Sequence, residues 1–174
     1  MRHSKHSFGS RCKRAFTHLT TTAAAGRRAF PEASLQEIEQ KITQGEQRHS
    51  AEIRLIVEVA LGTRAIIEGI SNRQRALDLF AHYRIWDTED NCGVLIYVNL
   101  AEHAVEIVAD RNVGRRIETR EWHRICTVMT QGFAQGKFHE STIAAIEVLN
   151  ALLHQHFPAT TARSNQLPDH PLML

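Results

Sequence analysis

The run Gly93-Val94-Leu95-Ile96-Tyr97-Val98 constrains this chain more than any other stretch. It is apolar at every step, the pattern of a strand covered on both faces. Residues 99–103 break the run. Residues 104–109 resume it as alternation, with Val105 and Ile107 on one side and Glu106 on the other. The pattern predicts a central strand, a short turn and an antiparallel partner. An antiparallel hairpin brings the start of its first strand beside the end of its second. The acidic loop that precedes the run, Asp87-Thr88-Glu89-Asp90-Asn91, is thereby placed near Asp110, Arg111 and Asn112.

Upstream, residues 52–61 alternate. Ile53, Leu55, Val57, Val59 and Leu61 point one way, and Glu52, Arg54 and Glu58 point the other. This predicts a strand with one better-buried face. Between the two strands, Ser71 or Asn72 can cap a helix whose apolar stripe is Ala76, Leu77, Phe80 and Tyr83. A strand, a helix and a second strand make a βαβ unit, so the two strands share one sheet through a right-handed crossover. The hairpin makes that sheet mixed.

Three more helices follow from spacing. Ser34 and Glu37 form a capping-box pattern ahead of Leu35, Ile38 and Ile42, for a helix running to about His49. Thr119 caps a helix carrying Trp122, Ile125, Met129 and Phe133, closed by Gly132 and Gly136. A helix from about Glu140 to His156 has a wide apolar surface from Ile143 to Leu153. Residues 65–70 and the polar stretch around Gly114 remain unassigned.

Charge divides the chain. Residues 1–30 hold seven Lys/Arg and no acid, while 31–174 hold 14 basic against 19 acidic residues. Any attraction to nucleic acid or an anionic membrane belongs to the tail, and no specific nucleic-acid binding is expected of the body. Residues 1–30 show no periodicity and read as a basic, disordered tail. Residues 31–158 read as one domain, and 159–174 as a flexible C-terminal tail. Cys12, Cys92 and Cys126 are odd in number and far apart, which indicates neither a disulfide framework nor a zinc knuckle. No apolar run approaches a membrane span, and the N-terminus lacks the apolar core of a secretory signal. The expected location is cytoplasmic, with a peripheral membrane position as the alternative.

Several ordered patches resemble the TPM domain family, which includes YgcG-like bacterial proteins and a thylakoid acid phosphatase. They are Arg75-Ala76, Phe80, Trp86-Asp87-Thr88, Asn91, the run 93–98, Glu106-Ile107, Trp122, Phe133, Gly136-Lys137-Phe138 and His156-Phe157-Pro158. The resemblance implies an α/β/α sandwich with a small mixed sheet flanked by helices. It also implies one of three roles: acid phosphatase, calcium binder, or accessory domain with a protein partner in a membrane-associated complex. The chain departs from many relatives in reading Ala109-Asp110-Arg111-Asn112-Val113-Gly114 where they carry a Gly-rich turn.

Two chemistries compete for the loop. Hard cations such as Ca2+ take several oxygen ligands, and Asp87, Glu89, Asp90, Asn91 and Asp110 offer them. The spacing is not that of an EF-hand, and the competing reading is a solvated turn capped by Asp87 or Thr88. Phosphomonoester hydrolysis needs charge stabilisation and a nucleophile or activated water. Arg111 and Arg115, just past Asp110, are the candidate phosphate contacts. No Cys-x5-Arg signature, paired-Asp motif or P-loop accompanies them. The eleven histidines show no HExxH, and His154 and His156 fall on different sides of a helix.

Overall fold

The computed structural model describes residues 8–159 and 164–174. Its centre is a four-stranded mixed sheet in which Ala104–Ala109, Gly93–Asn99, Glu52–Glu58 and Leu172–Met173 lie side by side in that order. The apolar run forms β2 (Gly93–Asn99), and the alternating segment after it forms β3 (Ala104–Ala109), antiparallel to β2 with Ile96 opposite Ile107. β1 (Glu52–Glu58) runs parallel to β2, with Leu55 opposite Ile96. The crossover between them carries α4 (Thr63–Glu68) and α5 (Asn72–His82), and Ser71 caps α5 by accepting from the Gln74 N–H.

Helices cover both faces. On one side, α3 (Glu32–Glu46), α7 (Thr119–Ala134) and α8 (Phe138–His156) bury Ile38, Ile42, Ile125, Met129, Phe133, Ile146 and Leu149. These pack on Ile53, Leu55, Val94, Ile96 and Val98 of the sheet. On the other side, Ala76 and Leu79 of α5 pack with Ile85 and Leu167 on Ile56, Leu95 and Tyr97. The alternation of β2 thus feeds two cores, which is why no polar residue interrupts it. The architecture is the α/β/α sandwich with a mixed sheet.

Three segments differ from the sequence reading. Where residues 1–30 showed no periodicity, the chain forms α1 (Phe8–Thr20) and α2 (Ala23–Ala29). What holds α1 is tertiary and invisible locally: Arg14 and His18 both reach Glu102. The first seven residues of that segment lie outside the described ones. At the other end, residues 164–174 lie along the sheet, and Leu172–Met173 adds β4 parallel to β1. That segment also changes the polar face of β1. Glu52, Arg54 and Glu58 alternate as expected, yet all three are buried. Glu52 accepts from the Gln166 and Leu167 N–H groups, and Arg54 donates to the Pro168 and His170 carbonyls. The polar stretch after β3 is α6 (Arg111–Arg116). Among the described residues, no helix is long and apolar enough to cross a membrane.

Candidate functional site

The loop between α5 and β2 is shaped by its small polar residues. The Asp87 N–H donates to the Arg84 carbonyl at 2.8 Å, and Arg84 itself is left-handed at φ 51°. The buried Thr88 hydroxyl accepts from the Cys92 N–H at 2.9 Å, and the Thr88 carbonyl accepts from the Asn91 N–H. Asn91 sits at φ 53°, a conformation Asn tolerates better than most side chains. The loop therefore turns back sharply into Gly93.

The hairpin brings the loop to Asp110. The Asp110 N–H donates to the Gly93 carbonyl at 2.8 Å, closing the open end of the β2–β3 pair. Asn112 ties the two sides together, donating from Nδ2 to the Asp90 carbonyl at 3.0 Å and to Cys92 Sγ at 3.4 Å. Asp110 caps α6, its Oδ1 accepting from the Arg111 N–H at 2.6 Å. Its Oδ2 is buried and has no hydrogen-bond partner among the described residues. Asp110 as a whole is 8% exposed.

The candidate ligands do not all converge. Asp87, Glu89 and Asn91 are exposed, and Asp90 is half-buried. The Glu89 N–H is engaged by Gln166 Oε1 of the C-terminal segment. Among the described residues, no group of three or more His, Cys, Asp or Glu side chains is placed to hold a metal ion. Asp90 is joined to this end through its main-chain carbonyl, which accepts from Asn112, and Asp110 through its N–H, which donates to Gly93. Arg111 and Arg115 are exposed on α6. Arg116 turns the other way, donating to the His156 carbonyl and lying over the Phe157 ring.

Neither Cys92, in the loop, nor Cys126, on α7, is placed as a nucleophile. Burial, followed by the charge of Asp90, pushes the Cys92 thiol up. Burial pushes Cys126 up to about 11. A reactive cysteine needs the opposite, a depressed pKa in an electropositive setting. His154 is spent on the Arg48 carbonyl, to which its Nδ1 donates at 2.8 Å.

Sequence reasoning missed a larger polar assembly at the opposite end of the sheet. Glu58 is held by Arg75 through both Nε and Nη2, and accepts from the Tyr97 hydroxyl at 2.7 Å. Beside it, fully buried Asn99 donates to Asn72, whose Nδ2 donates to Glu102. Glu102 then takes Arg14 and His18 from α1. The carboxyl ends of parallel strands are where open α/β sheets place ligands, but here the chain's own N-terminal helix fills the position. The one signal available was Glu58, an acid at the carboxyl end of β1. A cleft of about 510 Å³ opens near the hairpin turn, lined in part by Thr20, Thr22, Arg28, His103 and Phe138. No acid is among its described lining residues.

The family model of the TPM domain matches residues 27–152. No curated protein matches. Among solved structures, the NMR structure of BA42 protein from the psychrophilic bacterium Bizionia argentinensis superposes with a TM-score of 0.72. It is 24% identical, and the match covers 81% of this chain and 92% of that one. At that identity the likeness is one of fold.

Proposed function

The chain belongs to the TPM domain family, and from that premise we propose that it is a binding module. It holds a divalent cation beside Asp110 and serves a protein partner as an accessory domain. The observation that carries the reading is the buried, unpartnered Oδ2 of Asp110. A carboxylate oxygen taken out of water without a partner costs about 1–3 kcal/mol or more, and such a group is commonly completed by an ion or ordered water.

The residues fit a loosely held cation better than a closed cage. Fewer than three ligating side chains converge among the described residues, so water would complete most of the shell. Hydrated Mg2+ tolerates this, and Ca2+ accepts it at reduced affinity. Asp90, tied to the same end of the hairpin through Asn112, is the second candidate carboxylate. The phosphatase reading has less support. Arg111 and Arg115 face solvent on a short helix, and the thiols at hand are raised rather than activated. A role in regulating a membrane-associated complex is part of the same proposal and rests on family membership.

Isothermal titration of the full chain with Ca2+ and with Mg2+ tests the cation. Saturable heat at millimolar ion, absent in Asp110→Asn, is expected. No heat in the wild-type chain, or equal heat in the variant, rules out the Asp110 position. Hydrolysis of a generic phosphomonoester that disappears in Asp110→Asn would instead restore the enzyme reading.

A further inference from the structure

Helix α1 is fixed to the domain by one face and presents the opposite face to solvent. Arg14 and His18, four positions apart, lie on the same side. They bond Glu102 at 2.6 and 2.7 Å, and Arg14 Nη2 also donates to the Ile70 carbonyl. His18 accepts from the Leu61 N–H through Nδ1, and its side chain is fully enclosed. Phe16, about half a turn away, is 68% exposed, and Leu19, about a third of a turn round, is 71% exposed. α4 touches α1 and adds Ile67 at 68% exposure.

The charge carried by α1 and α2 has one sign. Residues 8–30 contain Arg11, Lys13, Arg14, Arg27 and Arg28 and no acid. Lys13, Arg27 and Arg28 are exposed. On α4 the exposed Glu68 is matched by Arg64 at 2.7 Å. Glu102, beneath α1, is matched by Arg14. Exposed Phe and Leu on a basic helix that lies flat on its domain is the arrangement of an interfacial helix.

From this we propose that the outer face of α1, centred on Phe16 and Leu19 and flanked by Lys13, docks the domain on an anionic lipid bilayer. The two apolar side chains enter the headgroup region and the basic residues meet the lipid phosphates. A second copy of the chain fits the face less well. A symmetric dimer would oppose the same basic surface to itself. The proposal is independent of the cation at Asp110, which lies at the other end of the hairpin.

The test is co-sedimentation of the full chain, with chelator present. One set of vesicles contains phosphatidylglycerol and phosphatidylcholine, and the other phosphatidylcholine alone. The chain is expected to pellet with the anionic vesicles and to be released at about 1 M salt, where the screening length is about 3 Å. Phe16→Ser with Leu19→Ser should weaken binding about tenfold or more, since each loses the burial of a large apolar side chain. Lys13→Glu, which leaves the apolar face intact, should weaken it by several-fold. Circular dichroism confirms that each variant is folded. Lys13→Glu keeps the test decisive if the double variant is not. A wild-type chain that stays in the supernatant, or variants that pellet as the wild type does, overturns the proposal. Self-association without vesicles that disappears in the double variant also overturns it, and assigns the face to a second copy.

Discussion

Arg14 Nε donates to Glu102 Oε1 at 2.6 Å across 88 positions of sequence, and this pair fastens the N-terminal helix to the hairpin turn. Burial alone would raise the Glu102 carboxyl. Hydrogen bonds from Arg14, His18 and Asn72 outweigh it and hold the carboxyl below its ordinary value. A depressed carboxylate contributes stability above its unfolded pKa, and that contribution is lost as pH falls through the folded value. Anchoring of α1 is therefore predicted to weaken in acid. Glu102→Gln should bring the same loosening to neutral pH, costing about 1–3 kcal/mol locally. Hydrogen exchange of the amides in 8–20 reads it. Protection there should drop while protection of β2 is retained.

Glu46 predicts the opposite sign. Burial, with Glu52 and Asp169 nearby, pushes its carboxyl up to about 9. The folded chain then binds a proton that the unfolded chain has released, so stability falls as pH rises between about 4.5 and 9. Glu46→Gln keeps an acceptor for the Ile53 N–H and removes the charge. It should stabilise the domain at pH 8 by about 1 kcal/mol or more, and flatten the pH dependence of urea unfolding over that window.

Gly93→Ala should be among the most damaging small substitutions. A Cβ at Gly93 would lie 1.8 Å from the Ile85 carbonyl oxygen, a backbone atom that cannot swing aside. β2 begins there and Asp110 pairs there. Overpacking at a fixed backbone costs about 1–3 kcal/mol, so a lowered Tm is expected, with the loop and the head of α6 losing hydrogen-exchange protection first.

What was legible in the sequence follows from how far each signal reaches. β2 and β3 stood out because apolar continuity and alternation are local consequences of burial on two faces or one. The capping signal at Ser71 and the stripe through Ile125, Met129 and Phe133 are likewise written within one helix. The folding of α1 and of residues 164–174 was not legible. Each is held by groups distant in sequence, Glu102 for the first, and Glu52 and Arg54 for the second. Alternation in β1 showed which side Glu58 faces, but not that Arg75 and Tyr97 would enclose it. At the candidate site, hairpin geometry brought Asp110 to the loop, as Asn112 now shows. The solvated-turn reading matches the outward Asp87, Glu89 and Asn91 and the Thr88 hydroxyl that accepts from Cys92, whereas neither reading foresaw that Asp110 turns in.

Tyr97→Phe probes the enclosed Glu58 directly. The hydroxyl is the only group lost, and Glu58 keeps Arg75. A hydrogen bond to a charged group contributes about 1.5–3 kcal/mol. Unfolding by denaturant should show a loss in that range with an unchanged m-value.

The central proposal is that Asp110 binds a divalent cation. Thermal unfolding of the full chain in excess Ca2+, then in chelator, tests it most directly. An ion that binds only the folded chain adds about 2.7 kcal/mol at a hundredfold excess over its dissociation constant. The account predicts a clear rise in Tm with Ca2+ that chelator reverses and that Asp110→Asn, which can still cap α6, no longer shows. An unchanged Tm in millimolar Ca2+ and in millimolar Mg2+, or an equal rise in the variant, contradicts it.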